Sequence, residues 1–333
     1  MFNKAKGLMA AAIVTMAGVL PAQAQDGAEF YRGKTVNYIV ATEPGGGYDT
    51  NGRLVAKYMQ KHLPGSTFVV RNMPGAGHMI GANYVYSAAP DGLTLGTFNT
   101  GLIYAQLTED RGAKFDLSKM SWVGKLASDP RVLMMDKKLG IKTVDELKQL
   151  KEPVKFSAAG VGSASTTETE LLIKALDLPV KIITGYNGED GLLAIRRGET
   201  QGSLGALSSF EPFVNEGHGV FLAQIGGAAT DTPQLTAEGN PAAAQAIALI
   251  ASQGNISRLT AAPPGLSEER LATLRTAYEA AVSDPEFLEE AKMQGLPVDP
   301  AFGADVAKSV SEALNQSPEM VDYLKATLKS KSK

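Results

Sequence analysis

The chain of 333 residues contains no cysteine. That absence excludes disulfides, thiolate metal sites and thiol nucleophiles, and it leaves stability to packing alone. The length supplies enough residues for two lobes that each bury a core. An excess of one charge is also missing. The formal net charge is −3, with no long acidic or basic block, so nothing points to nucleic acid as a partner. The three histidines, His62, His78 and His218, are scattered, and no two stand at metal-ligand spacing. No G-x-S-x-G elbow is present and no serine has an evident histidine partner, so hydrolysis has no support. These absences lead us to expect no cofactor, no metal and no enzyme.

Long apolar runs are confined to the start of the chain. Lys4 and Lys6 precede the apolar stretch Gly7 to Leu20, and Ala22 and Ala24 then give the A-x-A pattern. Residues 1–24 therefore read as a secretory signal peptide, with cleavage expected before Gln25. No cysteine follows the cleavage point, so no lipid anchor is implied. Export without disulfides fits a bacterial periplasm.

Glycine, by contrast, is plentiful and placed at particular points. The β-branched and aromatic run Thr35 to Ala41 reads as a buried strand, and "EPGGGYD" then leads into a helical pattern through Leu54, Val55, Tyr58 and Met59. Strands over Thr67–Asn72 and through "LTLGTFNTG", with a short helix between them, complete a β-loop-α-β-loop-α-β order. That order implies an α/β protein with a mainly parallel sheet. The middle of the chain repeats it: "SWVGKLA" and "RVLMMD" are strands around Asp129–Pro130, and "VKFSAAGVGSASTTETELLIKAL" is again strand, Gly-rich loop and helix. Strands "VKIITGY" and "GSLGAL" follow, with a helix over Asp190 to Arg197 between them. Beyond Pro233 the texture becomes helical. One strand runs through "GNISRLTAAPPGL", and three helices come after it, the first capped by Ser267 and the second started by Asp284–Pro285.

The two Gly-rich loops, Gly45–Asp49 and Ser157–Ser165, carry the functional signal. Each would present consecutive N–H groups at a helix start, which suits a compact anion. The plainer alternative is that Asp49 and Ser165 simply cap their helices, Ser165 through an S-x-x-E signature with Glu168. The fragments "GAGHMIG" and "GVGSAS" are incomplete dinucleotide fingerprints. Arg53, Arg71, Arg131 and Arg196–Arg197 could each clamp an anion, though single arginines are weak signals. Trp122 and Tyr104 read as packing residues.

The stretches "EPGGGYDTNGRLVAKYM", "VVRNMPGAGHMIGANYVYSAAPDGLTLG", "KFSAAGVGSAS" and "GYNGEDGLLAIRRGETQGSL" resemble, in order and spacing, the periplasmic solute receptors of tripartite tricarboxylate transporters, the Bug receptors. The likeness extends over nearly the whole mature chain. It implies a two-lobed, Venus flytrap-like periplasmic binding protein of type II-like fold, with mainly parallel sheets flanked by helices and a ligand cleft between the lobes. Lobe 1 would take residues 25–127 and a helical part at 229–333, and lobe 2 residues 128–228. Carried over by position, one pincer is Thr42, Glu43, Pro44, Gly45, Gly46, Gly47, Tyr48 and Asp49. The other is Ser157, Ala158, Ala159, Gly160, Val161, Gly162, Ser163, Ala164 and Ser165. Asn99, Thr100, Gly101, Tyr186, Asn187 and Ser208 would line the same cleft.

The resemblance further implies a monomer that binds a small di- or tricarboxylate or aromatic carboxylate, partly through ordered waters, and delivers it to membrane transporter subunits. The alternative role is a loaded adaptor for a sensor kinase. Two departures from the family pattern bear on the ligand. Glu43 stands where relatives carry an apolar stretch, so it would repel a carboxylate unless it points away, or would receive an ammonium or cation instead. A basic residue often seen in relatives is missing from Gly185-Tyr186-Asn187-Gly188.

Overall fold

The computed structural model describes residues 27–187, 189–228, 230–237 and 239–329. The expected signal peptide and its cleavage point lie outside the described residues.

In chain order the first sheet begins with β1 (Thr35–Val40), α1 (Gly47–His62), β2 (Thr67–Asn72), α2 (Met79–Tyr86), β3 (Thr94–Phe98), α3 (Gly101–Leu107) and β4 (Ser121–Ala127). The second sheet follows with β5 (Arg131–Asp136), α4 (Val144–Lys148), β6 (Val154–Ala158), α5 (Ala164–Leu176), β7 (Val180–Thr184), α6 (Asp190–Arg196), β8 (Gly202–Ala206), α7 (Leu207–Asn215) and β9 (Gly219–Ile225). The remainder is α8 (Pro241–Gly254), β10 (Ser257–Ala262), α9 (Glu268–Val282), α10 (Pro285–Met293), β11 (Ala301–Phe302), α11 (Gly303–Leu314) and α12 (Pro318–Lys329).

Each sheet buries both faces, and the two-residue period of its strands decides which side chain goes where. In the first sheet Tyr38 and Val40 face a core with Leu54, Tyr58, Leu274 and Tyr278 from α1 and α9. Ile39 and Phe98 face the other side, against Leu102, Val306 and Val310 from α3 and α11. In the second sheet Leu133 and Met135 pack with Leu171, Leu249 and Leu324 from α5, α8 and α12. Val132 and Met134 pack with Ile195, Phe210 and Phe213 from α6 and α7. Trp122 and Tyr104 are core residues, as expected.

The α/β, two-lobed plan agrees with expectation, but the sheets are mixed. The first runs β11-β4-β10-β3-β1-β2 and the second β7-β6-β8-β5-β9. Among the described residues, the parallel strand pairs are β1 with β2 and β3, and β6 with β7 and β8, with one isolated parallel bridge between Gln224 and Gln234. The antiparallel half of the first sheet arises because β10, from far down the chain, inserts between β3 and β4.

The chain crosses between sheets at Ser128–Pro130 and again just before β10. The two crossings run side by side, with the Asp129 amide donating to the Gly254 carbonyl at 2.8 Å. The expected return to the first lobe at residue 229 needs correction. Ala243, Ala246, Leu249 and Ile250 of α8 are buried in the second sheet's core, so the return falls after Gly254. The last helix, α12, which the sequence reading missed, goes back to the second lobe through Met320 and Leu324.

Candidate functional site

The loops that follow β1, β3, β6 and β8 open onto one cleft of about 1010 Å3, at the carboxyl ends of the strands. Of the expected site residues, Thr42 through Tyr48, Asn99, Ser157 through Gly160, Ser163 through Ser165, Tyr186, Asn187 and Ser208 line it. Five do not: Asp49, Thr100, Gly101, Val161 and Gly162 stand outside the lining, each for its own reason.

Asp49 braces the first loop from beneath. It lies within the first turn of α1, whose N-cap is Gly46 without a side-chain cap. Its carboxylate accepts from the Gly45 amide at 2.9 Å, Arg53 Nε at 2.9 Å and Asn72 Nδ2 at 2.8 Å. Burial alone would raise its pKa, but these donors outweigh it and hold the carboxyl below its usual range. Gly45 turns at φ +87, a left-handed value that glycine takes at little cost. The Gly47, Tyr48 and Asp49 amides begin the helix and have no carbonyl of an earlier turn to bond.

The second loop uses its serines in a different way from the S-x-x-E reading. Ser163 is the N-cap of α5, and its Oγ accepts from the Thr166 amide at 3.3 Å. Ser165 is already inside the helix, where its Oγ accepts the Ala159 amide at 3.1 Å and ties the loop to the helix start. Glu168 makes no cap because it is buried and paired with Arg131. Val161 is 77% exposed and projects from the loop. Gly162 contributes backbone packed against Gly77 of the opposite lobe, so the rims of the two lobes touch there.

Thr100 and Gly101 support the floor. Thr100 is fully buried, and Arg131 Nη2 donates to its Oγ1 at 3.2 Å. Gly101 begins α3 so close to α5 that a Cβ would lie 2.8 Å from the Ala164 amide nitrogen.

Two buried arginines reach the cleft. Arg131 Nε donates to Glu168 Oε2 at 2.9 Å, and Tyr104 donates to Oε1 at 3.3 Å. Burial pushes the Glu168 carboxyl up, against the opposing pull of the guanidinium. The sequence reading named Arg131 among several arginines, but it missed Arg258. Arg258 is 3% exposed and adopts φ +60, a left-handed conformation that stores about 1–3 kcal/mol in a non-glycine residue. Its Nη2 donates to Asp129 Oδ2 at 3.2 Å, and its guanidinium lies 4.3 Å over the Tyr48 ring. Arg258 Nε, Tyr48 Oη and Thr42 Oγ1 are buried without a protein partner. Asp129 also accepts from the Ser208 amide at 3.2 Å and the Ser208 hydroxyl at 2.6 Å, so it anchors both sides of the hinge.

A deep cleft between two mixed α/β lobes, floored by paired charges and walled by Gly-rich helix starts, defines a periplasmic-type solute-binding protein. The model of the tripartite tricarboxylate transporter receptor family matches residues 52–325, and the chain belongs to that family. A UPF0065 protein of Bordetella pertussis is 25% identical over 319 residues, 94% of this chain and 96% of its own. Another, from Agrobacterium vitis, is 35% identical over 184 residues, and that match spans about half of each protein, 53% of this chain and 51% of the relative.

The fold is similar to periplasmic binding protein BugD, with a TM-score of 0.72, 20% identity, and coverage of 89% of this chain and 98% of that one. It is also similar to MatC of Rhodopseudomonas palustris with bound malate, with a TM-score of 0.71, 22% identity and coverage of 87% and 99%. A further R. palustris protein, with adipate, gives a TM-score of 0.69, 21% identity and coverage of 89% and 97%.

Proposed function

We propose that this chain is an exported, non-enzymatic receptor that closes its lobes on a small carboxylate and hands it to a tripartite tricarboxylate-type membrane transporter. One observation carries the reading: the Gly45–Tyr48 and Ser157–Ser165 loops, from opposite lobes, line one cleft together with Arg131 and Arg258. Unpaired amides at helix starts and guanidinium groups favour an anion, and a cleft between hinged lobes lets closure exclude water. In this reading the site holds a ligand and releases it unchanged. Malate and adipate in the two R. palustris neighbours support the ligand class.

The test is a thermal-shift panel of mono-, di- and tricarboxylates on the purified protein. A true ligand at a hundred times its Kd stabilises the fold by about 2.7 kcal/mol. A broad panel with no shift, or steady turnover of any member, would overturn the reading.

A further inference from the structure

We propose that Arg258 is the direct carboxylate anchor of the cleft, and that the unpaired acids elsewhere in the lining select ligands whose far end is cationic or neutral: amino carboxylates rather than di- or tricarboxylates. This rests on the receptor reading above and goes on to specify its ligand.

The anchor follows from what surrounds Arg258. The residue is 3% exposed, yet it lines the cleft, and Asp129 is the only hydrogen-bond partner of its guanidinium among the described residues. Its Nε has no partner, and neither does the Tyr48 hydroxyl beside it. Burying such donors unpaired is unfavourable, and both atoms are closed to solvent here. The guanidinium would therefore meet a ligand oxygen on the side that lines the cleft, next to Gly47, with the neighbouring donors completed as the lobes close. Arg258 also holds a left-handed backbone conformation at the second residue of its strand, where glycine would sit without strain. An arginine kept at such a position points to a need for the side chain itself.

The selectivity follows from counting charge. Each arginine on the floor is already matched by a buried carboxylate, Arg131 by Glu168 and Arg258 by Asp129. The other carboxylates in the lining are Glu43, Glu189 and Asp190, all exposed and none in a salt bridge to a described cation. Among the described residues, no lysine lines the cleft. A ligand with one carboxylate on Arg258 therefore shares the cleft with three acids that have no cationic partner among the described residues. A second carboxylate there is repelled, and an ammonium is attracted.

A matched ligand set isolates this. Pentanoate, 5-aminopentanoate and glutarate present neutral, cationic and anionic far ends on chains of similar length, and citrate is the tricarboxylate. Calorimetry on the purified protein should rank 5-aminopentanoate tightest and at least about tenfold tighter than glutarate, with citrate weakest. Glu43→Gln, at an exposed position that the fold does not need, should narrow the gap between 5-aminopentanoate and glutarate several-fold. Arg258→Gly relieves the backbone but leaves buried Asp129 with only its Ser208 donors. It should therefore melt cooperatively at a lower temperature and lose at least about tenfold in affinity for every carboxylate when measured below that melt. Glutarate or citrate binding tightest overturns this inference and leaves the receptor reading standing. Unchanged affinity in Arg258→Gly overturns the anchor. No binding by any carboxylate overturns both.

Discussion

Replacing Gly47 with alanine separates binding from folding at a single atom. A Cβ at this position would lie 3.3 Å from Arg258 Nη2 and 3.8 Å from Ser209 Oγ, in the space between α1 and the Arg258 guanidinium. A ligand oxygen bonded to Nη2 must sit about 2.7–3.2 Å from that nitrogen, so the methyl group competes for the same volume. Losing one charge-assisted hydrogen bond removes about 1.5–3 kcal/mol, which corresponds to roughly a tenfold to hundredfold weaker Kd. The cost to the fold is small, since the Arg258 guanidinium need give by only a few tenths of an ångström. Gly47 opens α1, and alanine is favoured over glycine in a helix by up to about 1 kcal/mol. The assay pairs calorimetry with thermal melts of the unliganded protein. We expect affinity to fall while the melting temperature holds or rises. A variant that binds like the parent refutes the placement of the ligand between α1 and Arg258.

Three further perturbations probe other parts of the account. Gly77 has φ +61, and a Cβ there would lie 2.7 Å from the Gly162 carbonyl carbon across the cleft. Gly77→Ala should therefore hold the rims apart, giving a larger radius of gyration in X-ray scattering of the loaded protein and weaker binding, on top of about 1–2 kcal/mol of backbone strain. Glu168→Ala leaves Arg131 buried without its partner, so urea unfolding should show a loss of about 3–5 kcal/mol. Far from the cleft, Lys61 above all, with help from His62, holds Asp284 down at about 2. Because the folded value lies below the unfolded one, this contact stabilises the protein above the ordinary aspartate range and is lost as pH falls toward about 2. Asp284→Asn should flatten the acid limb of stability against pH, and an unchanged limb would count against the contact.

Local signals in the sequence were reliable where the physics is local. The strand–glycine–helix units at Gly45 and Gly160 are written in short-range periodicity, and the caps at Ser267 and Asp284 behave as expected, accepting from Arg270 and Glu286 amides. Those loops gave the two facing walls of the cleft, but much of the lining, including Pro74 to His78, Glu189 to Leu192 and Gln294 to Leu296, was not anticipated. The misses share a different cause, which is that distant partners decide them. Arg258 sits within an ordinary strand pattern, and it reaches the cleft only because β10 joins β3 and β4 from far along the chain. The same insertion made the sheet mixed. Ser165 and Glu168 match a capping signature, but Glu168 is drawn inward by Arg131, and the cap passes to Ser163. The change of texture near Pro233 is real in composition, yet the small apolar face of α8 fits the second sheet's core, so the lobe boundary falls later.

The most direct test of the account is a crystal structure of the protein with the tightest-binding carboxylate from the panel. The account predicts carboxylate oxygens within hydrogen-bond distance of Arg258 and of the amides at the starts of α1 and α5, with both lobes in contact with the ligand. Density for the ligand outside this cleft, for example in the smaller cavity behind the hinge lined by Pro130, Leu207 and Leu288, would contradict it.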